Sequence, residues 1–114
     1  MPYIHTRVSV PLDTQQEERL KTELGKAIAI LPGKSESWLM LGFEDNFRLY
    51  FKGSNEQPTA YVEVKIFGSA DAASYDKLTA RITDILYREL DIPTDRIYVK
   101  YEEVEYWGWN GHNF

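Results

Sequence analysis

The apolar pattern of this chain runs twice. Pro2-Tyr3-Ile4-His5-Thr6-Arg7-Val8 can be set beside Ala60-Tyr61-Val62-Glu63-Val64-Lys65-Ile66, and each segment leads into a turn, a helical pattern, a proline-containing turn and a further apolar run. The two halves, 1–57 and 58–114, therefore share one order, and their length exceeds that of most solenoid repeats. Two strand–helix–strand units inside a single domain spanning 1–114 fit this spacing. A right-handed crossover makes the strands of each unit parallel. The fold class expected is α/β (α+β): a four-stranded mixed sheet with two helices on one face, plus short edge strands.

Local signals set the expected boundaries. Pro2 to Val10 alternates between Tyr3, His5, Arg7, Ser9 and Ile4, Thr6, Val8, Val10, which is the period of a strand. Thr14-Gln15-Gln16-Glu17 has capping-box spacing, and Leu20, Leu24, Ala27, Ile28 and Leu31 then share one helical face until Pro32-Gly33. Trp38 to Phe43 reads as a strand, Phe47 to Phe51 as a short one, and Lys52 to Gln57 as a polar loop. In the second half Thr59 to Phe67 is the strand, Tyr75, Leu78, Ile82, Ile85 and Leu86 the helical face, and Arg96 to Tyr101 the closing strand. One sheet face is left bare. Sheets with parallel strands are normally covered on both sides, so a partner is expected, with 47–51 and 106–109 as subunit-bridging edges.

Composition narrows the function. The chain has no cysteine, which excludes disulfides, thiolate zinc sites and cysteine nucleophiles. Thirteen Lys+Arg against 18 Asp+Glu give a net charge of -5, which argues against nucleic-acid binding. No apolar run approaches the roughly 18 residues of a membrane span, and 1–10 lack the pattern of a secretory signal, so a cytoplasmic location is expected, with export by another route left open. The excess is aromatic: 3 Trp, 8 Tyr and 5 Phe.

Pro2 is the residue with the most chemical potential. Loss of the initiator methionine would expose a prolyl secondary amine, and α-amino groups titrate at about 7.7 to 8.0 before burial or a nearby cation lowers them. Such an amine is a base at neutral pH. Many chains nevertheless begin Met-Pro without any catalytic use for it, and with Met1 in place the nitrogen is an amide. Lys34, after the first helix, can complement the helix dipole or hold an anion. His5 and His112 are the only histidines and lie in a strand and the tail, so no metal site is expected. Glu102-Glu103-Val104-Glu105 reads as a solvated strand end. The cluster Tyr106-Trp107-Gly108-Trp109-Asn110, with Phe114, is apolar enough to require packing, in the core, on a neighbour or around an aromatic ligand.

Met-Pro at the start, Gly33-Lys34 after the first helix, Ser74-Tyr75-Asp76-Lys77-Leu78, Asp95-Arg96-Ile97-Tyr98 and Gly108-Trp109-Asn110 together resemble the macrophage migration inhibitory factor family of the tautomerase superfamily, essentially end to end. The resemblance implies a homotrimer with sites at subunit interfaces and a cofactor-free keto-enol tautomerase acting on a small aromatic 2-keto acid such as phenylpyruvate. It implies Pro2 as the base and Lys34 as the group holding the substrate carboxylate or keto oxygen. The amide of Ile66 would donate a hydrogen bond, Tyr98 would arrive from the adjacent subunit, and Trp38, Trp109 and Phe114 would form walls. Two departures stand out: Lys100 replaces a frequent asparagine near the substrate, and Trp107 replaces a small aliphatic residue. Thr59-Ala60-Tyr61-Val62 replaces the family's Cys-Ala-Leu-Cys, removing thiol chemistry. The alternatives are a cytokine-like protein that binds a receptor and carries a vestigial pocket, and a related dehalogenase or decarboxylase.

Overall fold

The structure is a computed structural model that describes residues 1–114. Two strand–helix–strand units build it. The first is β1 (Pro2–Val8), α1 (Thr14–Ala27) and β2 (Met40–Glu44); the second is β3 (Ala60–Phe67), α2 (Ala72–Leu90) and β4 (Ile97–Val104). A small hairpin, β5 (Gly108–Trp109) with β6 (His112–Asn113), follows. The sheet order is β2-β1-β3-β4, with β1–β2 and β3–β4 parallel and the central β1–β3 pair antiparallel. Each crossover thus closes a parallel pair, and the two units meet at one antiparallel seam.

Alternation decides the layers. Pro2, Ile4, Thr6 and Val8 of β1 and Ala60, Val62, Val64 and Ile66 of β3 are buried, while their odd-numbered neighbours are half-buried on the other face. Ile4, Val8 and the four β3 residues join Leu20, Leu24, Ala27, Ile28 and Leu31 from the first helical segment, Leu78, Ile82, Ile85, Leu86 and Leu90 from α2, and Ile92 in one cluster of 17 residues. Both helices therefore cover the same face and pack on each other. At about 1.5–3 kcal/mol per fully buried aliphatic side chain, this cluster is the main source of stability.

The opposite face carries charges that pair among themselves. Arg7 bonds Glu44 at 2.9 Å and Glu63 at 2.7 Å, and Lys100 bonds Glu102 at 2.8 Å and lies 3.9 Å from Glu63. The row crosses all four strands of the sheet. Arg7 holds the Glu63 carboxyl below its ordinary value through their hydrogen bond.

Several expected boundaries move. The α1 capping box is built by Asp13 and Gln16, whose side chains reciprocally bond each other's backbone N–H at 2.7 and 3.0 Å, not by Thr14 and Glu17. A carboxylate at the N-cap outcompetes the threonine one residue later. Trp38 belongs to a 3-10 turn (Glu36–Trp38), so β2 starts at Met40. Residues 47–51 form no strand: within the chain only an isolated Phe51–Ser54 bridge occurs there, and Asn46 and Phe47 donate to Val10 and Val8 carbonyls. β4 extends through Glu102 and Glu103 because β3 pairs with it to its end.

Candidate functional site

One end of the sheet gathers most of the residues singled out in the sequence. Pro2 is the first residue of β1, buried on the helix-covered side and directly opposite Ile66 of β3. The Pro32-Gly33 turn after the first helix, with Gly33 at φ 78°, brings Lys34 back toward the same end. Its Nζ donates to the Phe67 carbonyl at 2.9 Å, and the Phe67 N–H donates to the Met1 carbonyl at 3.1 Å. The Met1 amine is held below its ordinary value, first by burial and then by the charge and hydrogen bond of Lys34.

Aromatic rings enclose this point. The Phe67 ring lies 5.6 Å from that of Phe114; Phe114 and Trp109 are nearly parallel at 6.4 Å; and Trp109 meets Trp38 edge-on at 5.0 Å. The hairpin that presents Trp109 turns at Asn110-Gly111, both at positive φ, and the Phe114 N–H donates to the Trp107 carbonyl, holding the terminus against it. Positive φ at both central residues is what a tight two-residue hairpin requires. Trp38, Trp109 and Phe114 remain about half exposed (48%, 47% and 52%), a wall with one side unfilled.

The structure brings Pro2, Lys34, Trp38, Trp109 and Phe114 together, with Trp107 behind them through its carbonyl. It separates Tyr98 and Lys100 from them within one chain. Glu103 shares the cross-strand row of Ile66 and Pro2, so Lys100 and Tyr98, three and five residues earlier on β4, lie about 10 and 16 Å back along the strand. Tyr98 packs edge-on against Phe51 at 5.2 Å, and Lys100 is occupied by Glu102 and Glu63. Ile66 is adjacent to Pro2, with its side chain in the core. The backbone N–H that meets Met1 and the carbonyl that meets Lys34 both belong to the next residue, Phe67, in the two peptide groups that flank its Cα. Phe67 was missed in the sequence, where only its strand was visible; the register of β1 on β3 is what selects it.

Without Met1, an amine at the end of a strand, beside a cation, a backbone N–H and a rim of rings, is a set of groups that can bind a flat anion and move a proton. The fold is shared with solved structures. A crystal structure of MIF2 from Leishmania major superposes with a TM-score of 0.93 at 38% identity, covering 100% of this chain and 97% of that one. The homologue from Prochlorococcus marinus gives 0.83 at 32%, covering 98% of each. A macrophage migration inhibitory factor of Xenopus laevis is 27% identical over 116 residues, covering 100% of this chain and 99% of its own length. The family model described as "Macrophage migration inhibitory factor (MIF)" matches residues 1–114. The architecture is therefore that of the tautomerase superfamily. Within it, the chain belongs to the macrophage migration inhibitory factor family, whose members are typically homo-oligomers.

Proposed function

We propose that this chain, once Met1 is removed, is a cofactor-independent keto-enol tautomerase acting on arylpyruvates, with phenylpyruvate as the test substrate. The observation that carries the reading is the bonding around Phe67: Met1 takes the Phe67 N–H at 3.1 Å, and Lys34 sits on the Phe67 carbonyl at 2.9 Å. Loss of Met1 frees the prolyl amine and this N–H in one step, both beside an ammonium group. Pro2 then takes a proton from the carbon next to the ketone and delivers it to the ketone oxygen, so that C–H and C=O become C=C and O–H. Lys34 holds the carboxylate or the oxygen as charge develops on it, and the Phe67 N–H donates to that oxygen. Trp38, Trp109 and Phe114 stack on the aryl group and exclude water.

A homotrimer completes the proposal. The charge-paired sheet face turns inward, and Tyr98 and Lys100, remote from Pro2 in their own chain, reach the neighbour's site. With Glu102 and Glu63 already holding it, Lys100 contributes less free positive charge than its place in the sequence implies.

The experiment compares Met1-free protein, confirmed by intact mass, with a Met1-retaining form, Pro2→Gly and Lys34→Ala in phenylpyruvate enolisation. The expected result is a loss of about a hundredfold or more in the Met1-retaining form, the lower bound for removing a positioned base. Equal rates in all four would reject the roles and leave receptor binding as the reading to pursue.

A further inference from the structure

Phe67 is followed by a short link into α2, and the groups that tie this link down come from β4 and α2. Gly68 turns the chain at φ 89°, and its N–H donates to the Val104 carbonyl at 3.3 Å. Two residues on, the Ala70 N–H is shared between the Tyr75 hydroxyl at 3.2 Å and the Glu103 carboxylate at 3.3 Å. The Tyr75 hydroxyl in turn donates to the same Glu103 oxygen at 2.6 Å. Tyr75 is held from behind as well: its ring lies 4.6 Å from that of Tyr101, whose hydroxyl donates to the Tyr75 carbonyl at 3.1 Å and pairs with Thr79 at 2.8 Å. Glu103 stands in the same cross-strand row as Ile66 and Pro2.

We infer that Tyr75 and Glu103 form a positioning pair that fixes the Phe67–Ala70 link, and through it the orientation of the Phe67 N–H toward the N-terminus and of the Phe67 carbonyl toward Lys34. The inference rests on the reading of the site proposed above. A loop of four residues anchored at both ends has little slack, so the Ala70 anchor constrains the Phe67–Gly68 peptide, which carries the carbonyl on Lys34, and through it the Ile66–Phe67 peptide, which carries the N–H on Met1. A charge-assisted O–H···O bond as short as 2.6 Å is among the stronger neutral-to-ion hydrogen bonds. Burial and Glu103 push the Tyr75 phenol up to about 12, so the donor is retained throughout the working range. Neither side chain bonds Met1 or Lys34; both act through the backbone.

The test uses Met1-free protein carrying Tyr75→Phe or Glu103→Gln, read by enolisation kinetics across pH and by amide resonances in two-dimensional NMR. Tyr75→Phe removes the donor and one acceptor without changing charge. It is expected to speed exchange of the Ala70 amide by about tenfold, to shift the Phe67 amide resonance, and to lower kcat by about five- to tenfold with the acid-limb pKa of the profile unchanged. Glu103→Gln keeps an acceptor oxygen but loses the charge assistance, and is expected to lower kcat in the same direction as Tyr75→Phe but less, by about two- to threefold. Faster Ala70 exchange with an unmoved Phe67 resonance or an unchanged kcat would make the pair merely structural and overturn the inference. A shifted acid limb in Glu103→Gln, with Tyr75→Phe silent, would replace it by a field effect of the carboxylate. If Pro2→Gly proves as active as the parent, the tautomerase reading fails, while the Phe67 resonance still decides the positioning claim.

Discussion

The two ends of the sheet are built alike and end differently. At one, the Phe67 N–H bonds the Met1 carbonyl; at the other, the corresponding Ser9 N–H bonds the Thr59 carbonyl at 3.0 Å. Lys34, after the first helix, and Arg96, after the second, stand in related places. Arg96 is fully engaged, with hydrogen bonds to Thr59 Oγ1 at 2.9 Å, the Ser54 carbonyl at 2.8 Å and the Phe51 carbonyl at 3.4 Å, and its guanidinium lies 5.3 Å from the Phe51 ring. Lys34 holds one carbonyl. The difference lies in the partners within reach: Thr59 and the preceding residues Phe51 and Ser54 supply three acceptors for Arg96, whereas Lys34 meets the Phe67 carbonyl alone. One geometry thus yields a structural clamp at one end of the sheet and a candidate site at the other.

The sharpest way to break this comparison is to remove each cation. Lys34→Ala takes away one hydrogen bond and should cost under about 1 kcal/mol of stability while lowering kcat/KM for enolisation by about a hundredfold. Thermal unfolding and steady-state kinetics on the same preparation check both halves of the claim. Lost stability with an unchanged rate would make Lys34 a second Arg96. Arg96→Ala should do the reverse. It leaves two carbonyls and a hydroxyl without their charged donor, for a loss of about 2–3 kcal/mol, or a drop in Tm of about 10 °C, and activity per folded molecule should fall less than with Lys34→Ala.

The same comparison shows how far the sequence could be read. The repeat was visible because Pro2–Val8 and Ala60–Phe67 both alternate, and alternation is set by burial on one sheet face. Pro2, Lys34, Trp38, Trp109 and Phe114 were reached through family resemblance, and the fold brings them to one end. The choice of Ile66 over Phe67 shows where that reading stops. Neighbouring residues in a strand present their side chains to opposite faces and their amides to opposite edges, so a shift of one residue changes which N–H meets the N-terminus, and only the pairing of β1 with β3 decides it. Residues 47–51 have the composition of a strand, yet within one chain no strand runs beside them, and they form a strap instead. The engagement of Lys100 was not legible either, because its partners, Glu63 and Glu102, become its neighbours only through strand pairing and pleat.

The seam between the two units offers the smallest and most graded test. Arg7 of the first unit and Glu63 of the second bond across it at 2.7 Å, and Glu63 is only 13% exposed. Because the hydrogen bond from Arg7 lowers the Glu63 pKa from its ordinary 4.5, the folded state binds this proton less readily than the unfolded chain. The resulting stability is fully present above pH 4.5 and is lost as pH falls through the lower folded value. Glu63→Gln should therefore flatten the acid limb of the unfolding free energy measured in urea below about pH 5, with a loss at neutral pH near 1 kcal/mol, since Arg7 keeps Glu44 as a second partner. If the acid limb of Glu63→Gln were to superpose on that of the parent, the seam would owe its strength to the β1–β3 hydrogen-bond ladder and the core beneath it.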